Sequence, residues 1–192
     1  MNRALKPLPS LFLLLVLAFG LLIAPARAAE VRLPRPPELE KDVQFWIRVY
    51  SEISTSEGFL HDEHDLGVVY RKLKFRPDVR PTERREAVDA ERRNIQAMLE
   101  RLAAGTSNLT DDEKAIARAF GPGASPARYR QASEGVRFQL GQADRFREGL
   151  LRSGTWEAHI ADTFANLGLP PELSALPHVE SSFDPTAYSK VG

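Results

Sequence analysis

"RPTERREAVDAERRNIQAMLERLAAG", Arg80 to Gly105, is the stretch on which the fold turns. Val88, Ile95, Leu99 and Leu102 share one face at helical spacing, while acids and arginines alternate over the rest. Thr82 is placed to cap the start, and Gly105 suits the C-terminal stop. The interleaved Glu86 and Asp89 make this a salt-bridged exposed face rather than a surface for nucleic acid or membrane.

Helical spacing continues on both sides. "KDVQFWIRVYSEIS" (Lys41 to Ser54) sets Val43, Trp46, Ile47, Tyr50 and Ile53 on one stripe. "TDDEKAIARAFG" opens with a capping box, Thr110 with Glu113, and ends at Gly121. Pro126 takes a first helical position behind Ser125. Further helical stretches are expected in "VRFQLGQADRFREGLLRSG" (136–154) and "TWEAHIADTFANLG" (155–168), the second with Trp156, Ile160, Phe164 and Leu167 along one side. Pro170 and Pro171 lead into a short helix ending near Glu180. "FLHDEHDLGVVYRKLKF" has a polar turn between two apolar pieces, so a small β-hairpin from Phe59 to Phe75 is allowed. The expected fold is all-α, about six helices with room for that one hairpin.

The chain's 192 residues suffice for one domain with a real core, and their formal charge of zero points to no polyanionic partner. Without cysteine there is no disulfide, no thiolate metal site and no lipid-modified anchor residue. Residues 1–28 have the three parts of a secretory signal peptide. Arg3 and Lys6 start it, an apolar run spans Leu11 to Ile23, and Ala26 and Ala28 form the site, with cleavage expected after Ala28. The alternative is an uncleaved anchor at the inner membrane, although the run is short beside the roughly 20 residues of a span. Removal of the segment leaves 23 basic and 26 acidic residues, a net charge of −3. Residues 29–37 are a proline-rich lead-in, and no domain boundary is evident after Pro37.

Few residues offer chemistry. His61 and His64 lie among acids in "HDEHD", a set that can ligate a divalent metal, but a solvated hairpin turn accounts for it better. "GPG" (Gly121 to Gly123) lacks the lysine of a phosphate loop, and no G-x-S-x-G or other nucleophile–base set occurs. Glu180 stands apart. It follows Leu173, Leu176 and Val179 and precedes Ser181, Ser182 and Phe183. A carboxyl half-buried by such neighbours has its pKa raised, which suits a general acid; a solvated glutamate at a helix end is the plainer alternative.

"GLPPELSALPHVESSFDPTAYSKVG" (Gly168 to Gly192) closely resembles the start of the catalytic domain of family 1 lytic transglycosylases, the Slt-type murein-cleaving enzymes, in the branch of membrane-bound lytic murein transglycosylase D. Leu169, Pro170, Glu172, Leu173, Leu176, Pro177, Val179, Glu180, Ser181, Phe183, Pro185, Ala187, Ser189 and Gly192 stand at matching positions. "FWIRVYSEI" and "GQADRFREGLLRSGTWEAHI" look like the N-terminal extension of that branch. The resemblance implies a helical region over 38–167 and the first helix of a lysozyme-like domain over 168–192, the rest of the lobe and its "GLWQ"-type motif being absent. Glu180 would be the single acid/base that cleaves the bond between N-acetylmuramic acid and N-acetylglucosamine, leaving a 1,6-anhydromuramoyl end. Ser181 would support substrate or Glu180 by hydrogen bonding, with a loop-forming cap as the alternative. No metal or cofactor is implied. The implied partners are peptidoglycan glycan strands in the periplasm and, beyond them, a cell-wall enzyme. A second expectation is a non-catalytic periplasmic helical module, in which Lys41 to Leu167 fold and bind peptidoglycan or such an enzyme alone.

Overall fold

Phe59 and Leu60 are adjacent in the chain, yet each belongs to a different hydrophobic cluster. Successive side chains of a strand point to opposite faces, so this pair marks a sheet buried on both sides. The strand is β1 (Glu57–Asp62), the middle of a three-stranded antiparallel sheet ordered β2-β1-β3, with β2 at Val69–Lys74 and β3 at Val136–Leu140. The computed structural model describes residues 33–188 apart from Thr155. The expected signal peptide and its cleavage site, residues 29–32 of the lead-in, and motif positions Ser189 and Gly192 lie outside the described residues.

On one face, α1 (Glu40–Ser51) and the two residues after it bring Phe45, Val49 and Ile53 down on Phe59. On the other face, α2 (Pro81–Ala103) lays Val88, Ile95, Leu99 and Leu102 on Leu60 and Phe75. Ile116 of α3 (Asp111–Phe120) and Ala132 of α4 (Pro126–Glu134) complete that cluster. The described residues are mostly helical, with this one small sheet.

Local chemistry explains the element ends. Pro81 takes the first position of α2 and Glu83 accepts from the Arg80 backbone N at 3.4 Å and from its Nε at 2.8 Å. The helix therefore starts before Thr82, which does not cap it. Thr110 and Glu113 form the reciprocal capping box, at 3.2 and 2.7 Å, and Ser125 Oγ accepts from Arg128 N at 3.2 Å. Gly105 ends the stretch at φ 72°.

Two expected faces are corrected. The α1 stripe of Val43, Trp46, Ile47 and Tyr50 is not the core face; Phe45 and Val49 are, and Trp46 and Ile47 stay exposed. Residues 136–140, expected to be helical, are β3: Val136, Phe138 and Leu140 alternate with Arg137 and Gln139, and β1 supplies their backbone partners. The cluster at His61 is a solvated turn only in part: Glu63 and His64 are exposed, while His61 and Asp62 are buried. Asp62 is fully buried in β1, accepting from Arg128 Nη2 at 2.6 Å, Tyr70 Oη at 2.8 Å, and the backbone N–H groups of His64 and Asp65 at 2.9 and 2.8 Å. Burial opposes its charge, but these donors prevail and hold the carboxyl below its ordinary value. His61 stacks on Phe45, and burial lowers its pKa.

Candidate functional site

β3 leaves the sheet through Gly141, whose backbone passes so close to α1's end that a Cβ would lie 2.2 Å from the Ile53 carbonyl oxygen. Gly141 N donates to Glu57 O, Gln142 N to Val49 O and Ala143 N to Ile53 O, each at 2.9 Å. These three bonds set the origin of α5 (Ala143–Ser153) against α1. Asp144 secures it further, accepting from Thr55 N at 3.0 Å and from the Thr55 hydroxyl. Burial works against that carboxylate, yet the Thr55 bonds outweigh it and depress its pKa.

Helix α5 is the platform for Glu180. Tyr50 of α1 meets Phe146 at 5.6 Å between ring centroids, and Phe146 meets His178 at 5.3 Å. His178 lies on α7 (Leu176–Glu180), which follows α6 (Glu157–Asn166) and a 3-10 turn at Pro171–Ala175. His178 is buried and its ring packs on Phe183 at 4.6 Å. Directly after Glu180 and Ser181 the backbone takes left-handed values, φ 51° at Ser182 and 55° at Phe183. For residues with side chains that conformation is costly and persists where surroundings enforce it. Arg152 enforces it here, donating from Nε at 3.0 Å and Nη2 at 2.8 Å to the Ser182 carbonyl oxygen. Gly149 makes room, since a Cβ there would lie 3.1 Å from the same oxygen.

Glu180 itself is exposed, on a rim between two openings. One is an apolar groove of about 790 Å³ lined by the Trp46 face of α1 together with Phe146, Ala175 and Val179. The other is a polar pocket of about 410 Å³ that includes Gln142, Arg145, Glu148, Glu180, Ser181 and Asp184. The stripe that sequence periodicity assigned to the α1 core thus walls the groove beside Glu180. Burial and then the neighbouring Glu180 carboxylate push the Tyr50 phenol up, which puts the two groups within electrostatic reach. Ser181 adjoins Glu180, but its hydroxyl donates at 3.4 Å to the Pro177 carbonyl oxygen, closing α7 as a capping serine does.

Among the described residues, no group of three or more His, Asp or Glu is placed to hold a metal, and no helix is long and apolar enough to cross a membrane. The expected stripe of α6 is split: Trp156 and Leu167 are exposed, at 58% and 67%, Ile160 and Phe164 are half-buried, and α6 contributes no fully buried residue. A scan against protein-family models and searches of curated proteins and of solved structures found no match to this chain.

Sequence reasoning singled out Glu180 and Ser181 but not their support. Arg145, Glu148, Gly149 and Arg152 follow at i, i+3, i+4 and i+7, one polar stripe on α5 interrupted by a glycine. That pattern was the available signal.

Proposed function

We propose that this chain acts on peptidoglycan as an exported lytic transglycosylase, with Glu180 as the single acid/base. The observation that carries it is positional. The glutamate of the "LPHVESSF" pattern emerges where an apolar groove meets a polar pocket, and the backbone behind it is held left-handed by Arg152. In the proposed reaction the protonated carboxyl gives its proton to the glycosidic oxygen as the C1–O bond breaks. The carboxylate then takes the proton of the muramoyl C6 hydroxyl, whose oxygen closes on C1. No water is consumed and the acid is regenerated, so one carboxyl group serves where hydrolysis uses two.

A second reading is a non-catalytic periplasmic module that binds glycan strands or a cell-wall enzyme. Taken alone, the geometry of the described residues gives it the more direct support. The body around the sheet has its own two-cluster core, and Glu180 stands in the open, where water weakens the electrostatic contacts that catalysis relies on. The catalytic reading draws on the sequence pattern in addition.

Muropeptide release from purified sacculi separates them, using native protein and Glu180→Gln. Anhydro-products that disappear in the variant support the enzyme. Sacculus binding without release, unaltered by the substitution, overturns it and supports the module.

A further inference from the structure

We propose that the arginine-lined pocket between the first half of α2 and the open edge of β3 docks an extended, acidic segment of a partner protein. It involves no residue around Glu180 and stands independently of the peptidoglycan reading.

The pocket has a volume of about 410 Å³ and is lined by Pro81, Arg84, Arg85, Asp89 and Arg92 of α2 together with Phe138 of β3. The α2 residues recur at i, i+3, i+4, i+8 and i+11, one stripe of the helix. Three guanidinium groups against one carboxylate leave the opening cationic. Alternation of charge along α2 led us to expect paired arginines, and several pairs form: Arg80 with Glu83, Arg92 with Asp89 and, reaching over from β2, Arg71 with Glu91. Arg84 and Arg85 are left over. Among the described residues neither side chain makes a hydrogen bond or an ion pair, although Arg84 is half-buried. Neighbouring guanidinium groups without a counter-charge repel each other, and an incoming carboxylate relieves that repulsion while filling their donors.

The second observation comes from the sheet. β3 is an edge strand, with β1 on one side only. The bonds from Gly141 N to Glu57 O and from Glu63 N to Gly135 O fix the phase of that pairing, so Arg137 and Gln139 also turn their backbone groups towards β1. Phe138, opposite Leu60, belongs to the alternate class, and its N–H and C=O point to the open side. Neither has a partner among the described residues. The Phe138 ring is held in place, 6.1 Å from Phe75 and so close to Gly58 that a Cβ there would lie 2.3 Å from it. Edge strands are commonly guarded by lysine or proline; β2 carries Lys72 and Lys74, whereas β3 has neither residue type and its Arg137 is tied to Glu63.

These features select the occupant. An extended peptide brings main-chain partners to Phe138 and sends every second side chain to one face, where a glutamate or aspartate meets Arg84 and Arg85. Pro81 and the Phe138 ring supply an apolar rest for the stem of that side chain. A phosphodiester chain is the poorer match, because Asp89 lies within the opening and Glu86 follows Arg85 directly.

The test is fluorescence anisotropy of a labelled, end-blocked Thr-Glu-Val-Glu-Thr peptide with the full chain, beside its glutamine analogue and a version with N-methylated backbone. Saturable binding is expected for the first peptide alone, with an amide shift at Phe138 by NMR. Arg84→Ala should raise Kd about tenfold, the scale of one charged hydrogen bond, and the more exposed Arg85→Ala about threefold. Arg93→Ala, exposed on the same helix but outside the pocket, should leave Kd unchanged. Equal binding of the glutamine analogue, or an Arg84→Ala Kd equal to that of the unmodified chain, overturns the proposal. Equal binding of the N-methylated peptide, or citrate competing as well as the unlabelled peptide, reduces the pocket to a small-carboxylate site and overturns the peptide assignment. Saturable, Arg84-dependent binding of a mixed-sequence single-stranded DNA with the peptide silent overturns it as well.

Discussion

Replacing Arg152 by alanine should loosen the turn behind Glu180 without unfolding the protein. Two consecutive left-handed residues, Ser182 and Phe183, cost on the order of 1–3 kcal/mol each. Opposing that cost are the paired Arg152 bonds, the Phe183 N to Pro177 O bond at 3.3 Å, and the packing of Phe183 on His178. A hydrogen bond from a charged donor contributes about 1.5–3 kcal/mol. The Arg152 side chain keeps 37% of its surface exposed, so the lower end applies. About 1.5 kcal/mol corresponds to roughly a tenfold larger population of the open turn. Amide exchange at Phe183 and Asp184, whose N–H groups bond to Pro177 O and Ser181 O, should quicken by about that factor. Ile95 and Leu99, deep in the α2 cluster, should keep their protection. Gly149→Ala should move the same two amides, because its Cβ must push the Ser182 carbonyl by a few tenths of an ångström. Unchanged exchange at Phe183 and Asp184 in Arg152→Ala would refute the clamp. Equal acceleration throughout α2 would show instead that Arg152 stabilises the whole fold.

Gly141→Ala should cost about 3 kcal/mol or prevent folding, because the new methyl group meets two backbone carbonyls that cannot turn aside, and a melting temperature within a degree or two of the unmodified chain would contradict this. Asp62→Ala strands the half-buried Arg128 and Tyr70 and two backbone donors, so chemical denaturation should show a loss of about 3 kcal/mol, the lower end for a broken buried pair because a quarter of the Arg128 side chain stays in water. The pH dependence has a definite sign. Folding depresses the carboxyl pKa values of Asp62 and Asp144, so their contribution is present above an unfolded value of about 3.9 and is lost as pH falls through the lower folded values. Melting temperature should decline below about pH 4, and in Asp62→Asn that decline should be shallower, from a lower starting value.

Much of the helical framework was legible because its signals are local. The apolar spacing from Val88 to Leu102, the Thr110–Glu113 box and the Ser125–Pro126 start each lie within a few turns of chain and need no distant partner. β3 was missed because its five residues become a strand through β1, almost eighty positions earlier, and because the helix after Gly141 masked their alternation. Asp62 was misplaced for a similar reason: among histidines and acids it looks solvated, and its burial becomes tolerable only with partners brought to it by the fold, Tyr70 across the hairpin and Arg128 sixty-six positions on.

By itself, then, the sequence determined the helix-forming segments and drew attention to Glu180, since periodicity, caps and motif spacing are written in consecutive residues. Tertiary structure decided which apolar stripe of α1 is core and which walls a groove, because a helix with two apolar faces has no internal reason to prefer either. It also decided that α5 carries Glu180's surroundings. Gly149 and Arg152 have no meaning until the chain returns, about thirty residues later, to set the Ser182 carbonyl against them.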